Sequence, residues 1–270
     1  MIEDSFGRID YDEQGSGPTI LFVPGSWSTR SAWRGVITPL EDRFRIVTTS
    51  LLGYGGTEER RTADDFSINL EVEVVEAVIR RANSAVHLVG HSYGGVVCLA
   101  LALRRATPLA ILTVIEATTV NLLRQCGEPA LYEQVRAISE AYPCAYANGD
   151  REAARRVIDF YGGHGSFDAF PARMREYIIA TTPANILDWA SGMSFDEPFA
   201  AYAGIAVPTL VIRGEHGHPT VWLALEILSR ALSEASLVTV AGAGHFMIAT
   251  HASEVARLIG EHVSKVEGLT

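Results

Sequence analysis

The sequence is short of everything that would take it into a membrane or onto a polyanion. No apolar run approaches the ~20 residues that a helix needs to cross a bilayer. The most apolar stretch, Val96 to Leu103, stops at Arg104 and Arg105. The N-terminal residues Met1-Ile2-Glu3-Asp4 have no basic region followed by an apolar one, so a signal peptide is not expected. Positive charge is also scarce. The chain carries 22 Lys and Arg against 32 Asp and Glu, a formal net charge of -10. A surface of that sign repels phosphate backbones and anionic headgroups, so neither nucleic acid nor a membrane is expected as a partner. Cysteine is limited to Cys98, Cys126 and Cys144. Their odd number and lack of metal-ligand spacing argue for inert thiols in a reducing cytoplasm, without disulfides or bound metal.

What is present is the composition of an ordinary globular protein, with 48% hydrophobic and 20% charged residues in 270 positions. That length suits one core domain, or a core with a smaller inserted unit. Short apolar runs recur and end in glycine-rich turns. Strands are predicted over Thr19 to Val23, Arg45 to Thr49, Ala85 to Val89, Ala110 to Ile115, Thr209 to Arg213 and Ser236 to Val240. Near-continuous apolar runs suit strands buried on both faces. Helices are predicted between them: Ile68 to Arg81, Tyr93 to Arg104, Val221 to Ala231 and Ser253 to Val263. The alternation implies an α/β fold, a mostly parallel sheet flanked by helices. Ile9-Asp10-Tyr11 and Gly15-Ser16-Gly17-Pro18 suggest an antiparallel hairpin at one sheet edge.

The alternation breaks after about Asn121. Four helical segments follow without a strand, Leu131 to Tyr142, Arg151 to Tyr161, Phe170 to Thr181 and Ala184 to Met193, punctuated by Pro143, Gly162-Gly163 and Pro183. The expected organisation is a core over 1–120 and 196–270, with an inserted helical lid over 121–195 above the carboxyl ends of the strands.

The strongest chemical signal is Gly90-His91-Ser92-Tyr93-Gly94 between a predicted strand and a predicted buried helix. This is the nucleophile-elbow pattern in its proper context. A nucleophile on a sharp turn needs small neighbours, and the following helix aims free amides at developing negative charge. The bland alternative is a serine that caps a helix. A serine hydroxyl needs a base. Gly244-His245-Phe246 supplies a histidine after the last predicted strand, while His91, though in the elbow, is expected to point away from the pocket entrance.

The elbow, the late glycine-flanked histidine and their order in the chain resemble the α/β-hydrolase superfamily over nearly the whole sequence. Pro24-Gly25-Ser26-Trp27 with Trp33, then Leu52-Gly53-Tyr54-Gly55, look like the superfamily's oxyanion loop and its following glycine turn. The resemblance implies a catalytic group of Ser92, His245 and an acid, with oxyanion amides from Tyr93 and from Ser26 or Trp27. Two departures stand out. Pro24 occupies a position where histidine often precedes the glycine, and the stretch Gly214-Glu215-His216-Gly217-His218-Pro219 lacks the usual aspartate. An acid at the end of the strand after the elbow helix is a known alternative, and Glu116 fits it. Glu215 and the absence of any acid partner are the rival assignments.

Phe160, Tyr161, Phe167 and Trp189 make the lid region aromatic. Singly such residues pack a lid onto a core, but together Phe160, Tyr161 and Trp189 point to an apolar pocket. The expected activity is cofactor-free hydrolysis of a small, mostly apolar ester or lactone through an acyl-enzyme. Hydrolysis of a carbon–carbon bond in a β-diketone-like substrate uses the same residues. A ligand-binding relative with little turnover is the reading from another class.

Overall fold

The computed structural model describes residues 1–4 and 7–269. A small antiparallel pair, β1 (Ile2–Asp4) and β2 (Gly7–Ile9), precedes the main sheet. That sheet contains β3 (Tyr11–Gln14), β4 (Thr19–Val23), β5 (Arg45–Thr49), β6 (Val86–His91), β7 (Leu109–Ile115), β8 (Thr209–Gly214) and β9 (Ala235–Val240). Its order is β3-β5-β4-β6-β7-β8-β9. Only β3 runs antiparallel to its neighbour; the rest pair in parallel. The expected edge hairpin is therefore corrected. Tyr11 pairs with Thr49, so β3 closes on β5 and not on the strand that follows it.

Side-chain alternation divides the core into two layers. In β4, Leu21 and Val23 enter one cluster, and Ile20 and Phe22 enter the other. The first layer is covered by α2 (Ile68–Ala82), α3 (Tyr93–Arg104) and α10 (Pro219–Ala231). The second is covered by α1 (Arg34–Ile37), α11 (Met247–Thr250) and α12 (Ala252–Glu267). Helix α3 is buried from Tyr93 through Ala102. Each of its Val and Leu side chains removed from water contributes about 1.5–3 kcal/mol, so α3 anchors the elbow firmly.

Between β7 and β8 lie α4 (Asn121–Gln125), α5 (Pro129–Ala147), α6 (Arg155–Gly162), α7 (Ser166–Ala169), α8 (Ala172–Ala180) and α9 (Thr182–Ser194). Four longer helices were expected there, and the short α4 and α7 are additions. Pro143 does not end its helix as anticipated; it lies inside α5. Burial of Val135 and Tyr142 holds that helix across the missing backbone donor. Among the described residues, no helix is long and apolar enough to cross a membrane. Cys98 is buried, whereas Cys126 and Cys144 are exposed.

The chain passes from β4 to β5 on one side and returns through β6 on the other. Open α/β sheets form a crevice at such a reversal, beyond the carboxyl ends of the strands. The turns after β4 and β6 meet there. Gly94 permits their contact, because a Cβ at this position would press on the Pro24 carbonyl and come within 2.7 Å of the Val23 carbonyl oxygen. Both obstacles are backbone. Gly94→Ala is therefore expected to destabilise by about 2–3 kcal/mol, a fall of roughly 5–10 °C in Tm for a chain of this size. A thermal melt with Tm unchanged would contradict this packing.

Candidate active site

Ser92 sits between β6 and α3 with φ 53 and ψ -125. A serine in this region is strained, and such strain persists only where the surroundings over-determine it. Here the Ser92 N–H donates to the Ile115 carbonyl at 2.9 Å, and the Ser92 carbonyl accepts from the Gly95 N–H at 2.9 Å. The elbow is thereby tied to β7 and to its own helix.

His245 lies in the turn between β9 and α11. Its Nε2 is 3.0 Å from Ser92 Oγ, and its Nδ1 is 3.2 Å from Glu116 Oε2. The consistent tautomer carries its proton on Nδ1, donates to Glu116 and leaves Nε2 to accept from the serine hydroxyl. Glu116 directly follows β7 and is fully buried. Its N–H donates to the Ile212 carbonyl at 2.9 Å, and its Oε1 accepts from the Gly214 N–H at 2.7 Å. The carboxylate therefore cannot swing away from the imidazole without breaking a buried hydrogen bond. Glu215 faces elsewhere: its Oε2 accepts from the Gly242 N–H at 2.8 Å.

His91 is the other histidine of the elbow region. It is buried beneath His245, with Nε2 2.9 Å from the His245 carbonyl oxygen and the ring centroids 5.3 Å apart. Burial pushes its pKa down to about 3, and the neighbouring His245 adds to the effect. Neutral His91 thus holds the backbone of His245 from below. Tyr161 covers the imidazole from the other element, stacked at 4.8 Å and 20°. Phe160 does not line the cavity; it packs on His218 at 4.0 Å instead. Phe167 is fully buried away from the cavity. Trp189 does line it.

The loop after β4 approaches Ser92 closely. A Cβ on Gly25 would lie 2.9 Å from the Ser92 Cβ, so the loop needs glycine there. Trp27 adopts φ 55. The N–H of Ser26 or of Trp27 is the loop's candidate oxyanion donor. Across from it, Tyr93 opens α3, so its N–H belongs to a helix N-terminus. A carbonyl oxygen held between those two amides would be polarised.

These groups open on a cavity of about 240 Å³. Val120, Val135, Val157, Ile158, Met193 and Ile248 line much of it, and among the described residues no Lys or Arg does. Among the described residues, no group of three or more His, Cys, Asp or Glu is placed to hold a metal ion.

A buried charge cluster at the cavity edge was missed in the sequence. Arg61 pairs with Glu71 at 3.0 Å, Asp188 at 2.7 Å and Glu59 at 2.8 Å. Burial pushes Glu71 up to about 7 despite the attraction of Arg61. A signal was present: Glu71 lies on the apolar stripe that Val74, Val75 and Val78 form.

The elbow, the imidazole beside it and the parallel sheet below define a hydrolase of the α/β class. The chain belongs to the alpha/beta hydrolase family, whose sequence profile matches residues 20–258. It is 32% identical to haloalkane dehalogenase 2 of Mycobacterium tuberculosis over 105 residues, 38% of this chain; the chain thus spans little more than a third (36%) of that relative's length. It is 25% identical to 2-hydroxymuconate semialdehyde hydrolase of a Pseudomonas species over 282 residues, covering 96% of this chain and 92% of that one. The structure of MenH from S. aureus superposes with a TM-score of 0.75 at 15% identity, over 95% of this chain and 98% of that chain.

Two outcomes test the geometry. Glu116→Gln keeps the shape but favours the wrong tautomer, so turnover is expected to fall by up to ~10⁴-fold. Glu215→Gln should stay near wild type, and the reverse ranking in steady-state assays would reject the Glu116 contact as the functional one. For His91, the sign follows from its depressed pKa. The unfolded chain binds the proton near ~6.5, before the folded one does. Stability contributed by neutral His91 is complete above pH 6.5 and is lost progressively as pH falls towards 3. Melts of His91→Gln should therefore show a shallower fall in Tm from pH 6.5 to pH 4 than the wild type, and parallel curves would contradict this.

Proposed function

We propose that the protein is a serine hydrolase that cleaves a small, uncharged, mostly apolar ester or lactone through an acyl-enzyme on Ser92. The observation that carries this reading is the hydrogen-bonded chain from Ser92 Oγ through His245 to Glu116, opening on an apolar cavity. Ser92 attacks the carbonyl carbon while His245 Nε2 takes the hydroxyl proton. The amides of Tyr93 and of Ser26 or Trp27 stabilise the oxyanion by several kcal/mol. Glu116 stabilises the imidazolium, which then protonates the leaving alcohol. Water, activated by the same imidazole, releases the acid and restores the serine. The helical segment α4 to α9 acts as the lid, and Tyr161 and Trp189 shape the acyl site beneath it.

The lining favours an uncharged substrate. A carboxylate brought into an apolar site without a cation loses its hydration and gains no partner. A second reading, hydrolysis of a carbon–carbon bond in a β-diketone-like substrate, needs the same residues. It is favoured by the full-length similarity to 2-hydroxymuconate semialdehyde hydrolase, whose named substrate is a carbonyl compound and not an ester.

The test has two parts. A fluorophosphonate probe should add its mass at Ser92, with prior cysteine alkylation making no difference. Labelling only elsewhere would reject Ser92 and favour a binding protein with little turnover. Wild type and Ser92→Ala are then compared on short- and medium-chain activated esters, matched esters ending in a carboxylate, and a β-diketone. The neutral esters should be turned over at least ~100-fold more efficiently than the acidic ones, from the cost of the unpaired charge, with Ser92→Ala inactive. Turnover of the β-diketone alone would replace the ester reading with the carbon–carbon one.

A further inference from the structure

Asp188 sits on α9, far from Ser92 in sequence, yet its carboxylate holds the loop that faces the serine. Its Oδ2 accepts from the Ser26 hydroxyl at 2.5 Å and from the Tyr54 hydroxyl at 2.7 Å. The Tyr54 hydroxyl stands against the Trp27 backbone. One carboxylate oxygen therefore holds Ser26 directly by its side chain and braces Trp27 through Tyr54. The other oxygen, Oδ1, accepts from Arg61 Nη1 at 2.7 Å. Arg61 and Glu71 side chains are 0% exposed and that of Asp188 is 1% exposed.

Burying three charges of this kind is expensive, and apolar packing of similar volume often does as well or better for stability alone. The cluster therefore calls for a second reason. The loop supplies one, because Trp27 has φ 55, a conformation a tryptophan does not hold unaided. Gly25 leaves no slack between the loop and Ser92. A shift of about 1 Å in such a site can slow a reaction by ~10²-fold.

We infer that Asp188 is a positioning residue for the oxyanion loop. It locks Ser26 and Trp27 against Ser92, and because it is carried by α9, the loop is set only while that helix is docked on the core. This rests on the reading of Ser92 as nucleophile and of the Ser26 or Trp27 N–H as an oxyanion donor. Arg61 balances the Asp188 charge, so that a carboxylate can stand near the site without opposing the oxyanion. The helical insertion thus completes the reaction centre as well as covering it.

The consequence is confined to the transition state. Ser26→Ala and Asp188→Asn should each lower kcat by ~10–10²-fold, in the range expected when a donor is misplaced, with KM changed by less than about threefold, as for an interaction made only in the transition state. The affinity for an alkyl boronic acid, which forms a tetrahedral adduct on the serine, should fall in parallel. The affinity for the matching non-hydrolysable ether should not. Ser26→Thr keeps the hydroxyl and should restore most of the rate. The double variant Ser26→Ala/Asp188→Asn should be no slower than the worse single one, since both remove the same link.

Additive losses, or a lower Tm with kcat and boronic-acid affinity intact, would overturn the inference and leave the cluster a structural tether. If Asp188→Asn does not fold, Ser26→Ala decides alone, and a normal kcat there overturns it. Failure of the underlying reading looks different: Ser92→Ala would keep its turnover, and the wild type would not bind the boronic acid.

Discussion

The turn at Ser92 is the constraint on which the rest of the structure depends. Its φ of 53 and ψ of -125 project the side chain above the end of β6, and nothing local makes that conformation favourable. The fold makes it so. Ten consecutive buried residues of α3 hold one side of the turn, and the Ile115 carbonyl holds the other. Gly94 lets the backbone after β4 press against it. Sheet order matters for the same reason. Because β4 and β6 are neighbours, the loop with Ser26 and the turn with Ser92 are forced into one crevice.

Around that turn, polar and apolar groups are sharply sorted. The imidazole of His245 has a hydroxyl on one nitrogen and a carboxylate on the other, while its faces meet Tyr161 and His91. The cavity beyond is lined mainly by aliphatic and aromatic side chains, with Thr118, Asn185 and Asp188 among the few polar ones. Electrostatic interactions gain strength in such low-dielectric surroundings. His91 shows the other side of the same effect, staying neutral where a proton would find no hydration.

Much of this was legible in the sequence, for identifiable reasons. The runs Thr19–Val23 and Arg45–Thr49 were read with the bounds the structure has, because strands buried on both faces leave a dense apolar signal. Ser92 and His245 were legible as candidates because glycine marks the turns that carry them. Glu116 was legible as a candidate through the missing aspartate after Gly214 together with the resembled family's alternative place for the acid, the end of the strand after the elbow helix. Pairing was not legible: β3 finds its partner in β5, and local pattern carries no record of that register. Nor was Asp188. Its role depends on Ser26, Tyr54 and Arg61, which lie 162, 134 and 127 positions away, and no motif spans such distances. Phe160 was misplaced because composition shows that a segment is aromatic without showing which ring turns towards His218.

The position of Glu116 also constrains the turn beside it. With the carboxylate just after β7, the end of β8 meets Glu116 through the Gly214 amide, and Gly217 beyond it comes so close that a Cβ there would lie 3.0 Å from Oε1. The side chains of Glu215 and His216 make no hydrogen bond to His245. An acidic side chain is not needed in that segment to reach His245 Nδ1, yet Gly217 has to stay small beside the carboxylate, so the turn is free in charge and fixed in bulk.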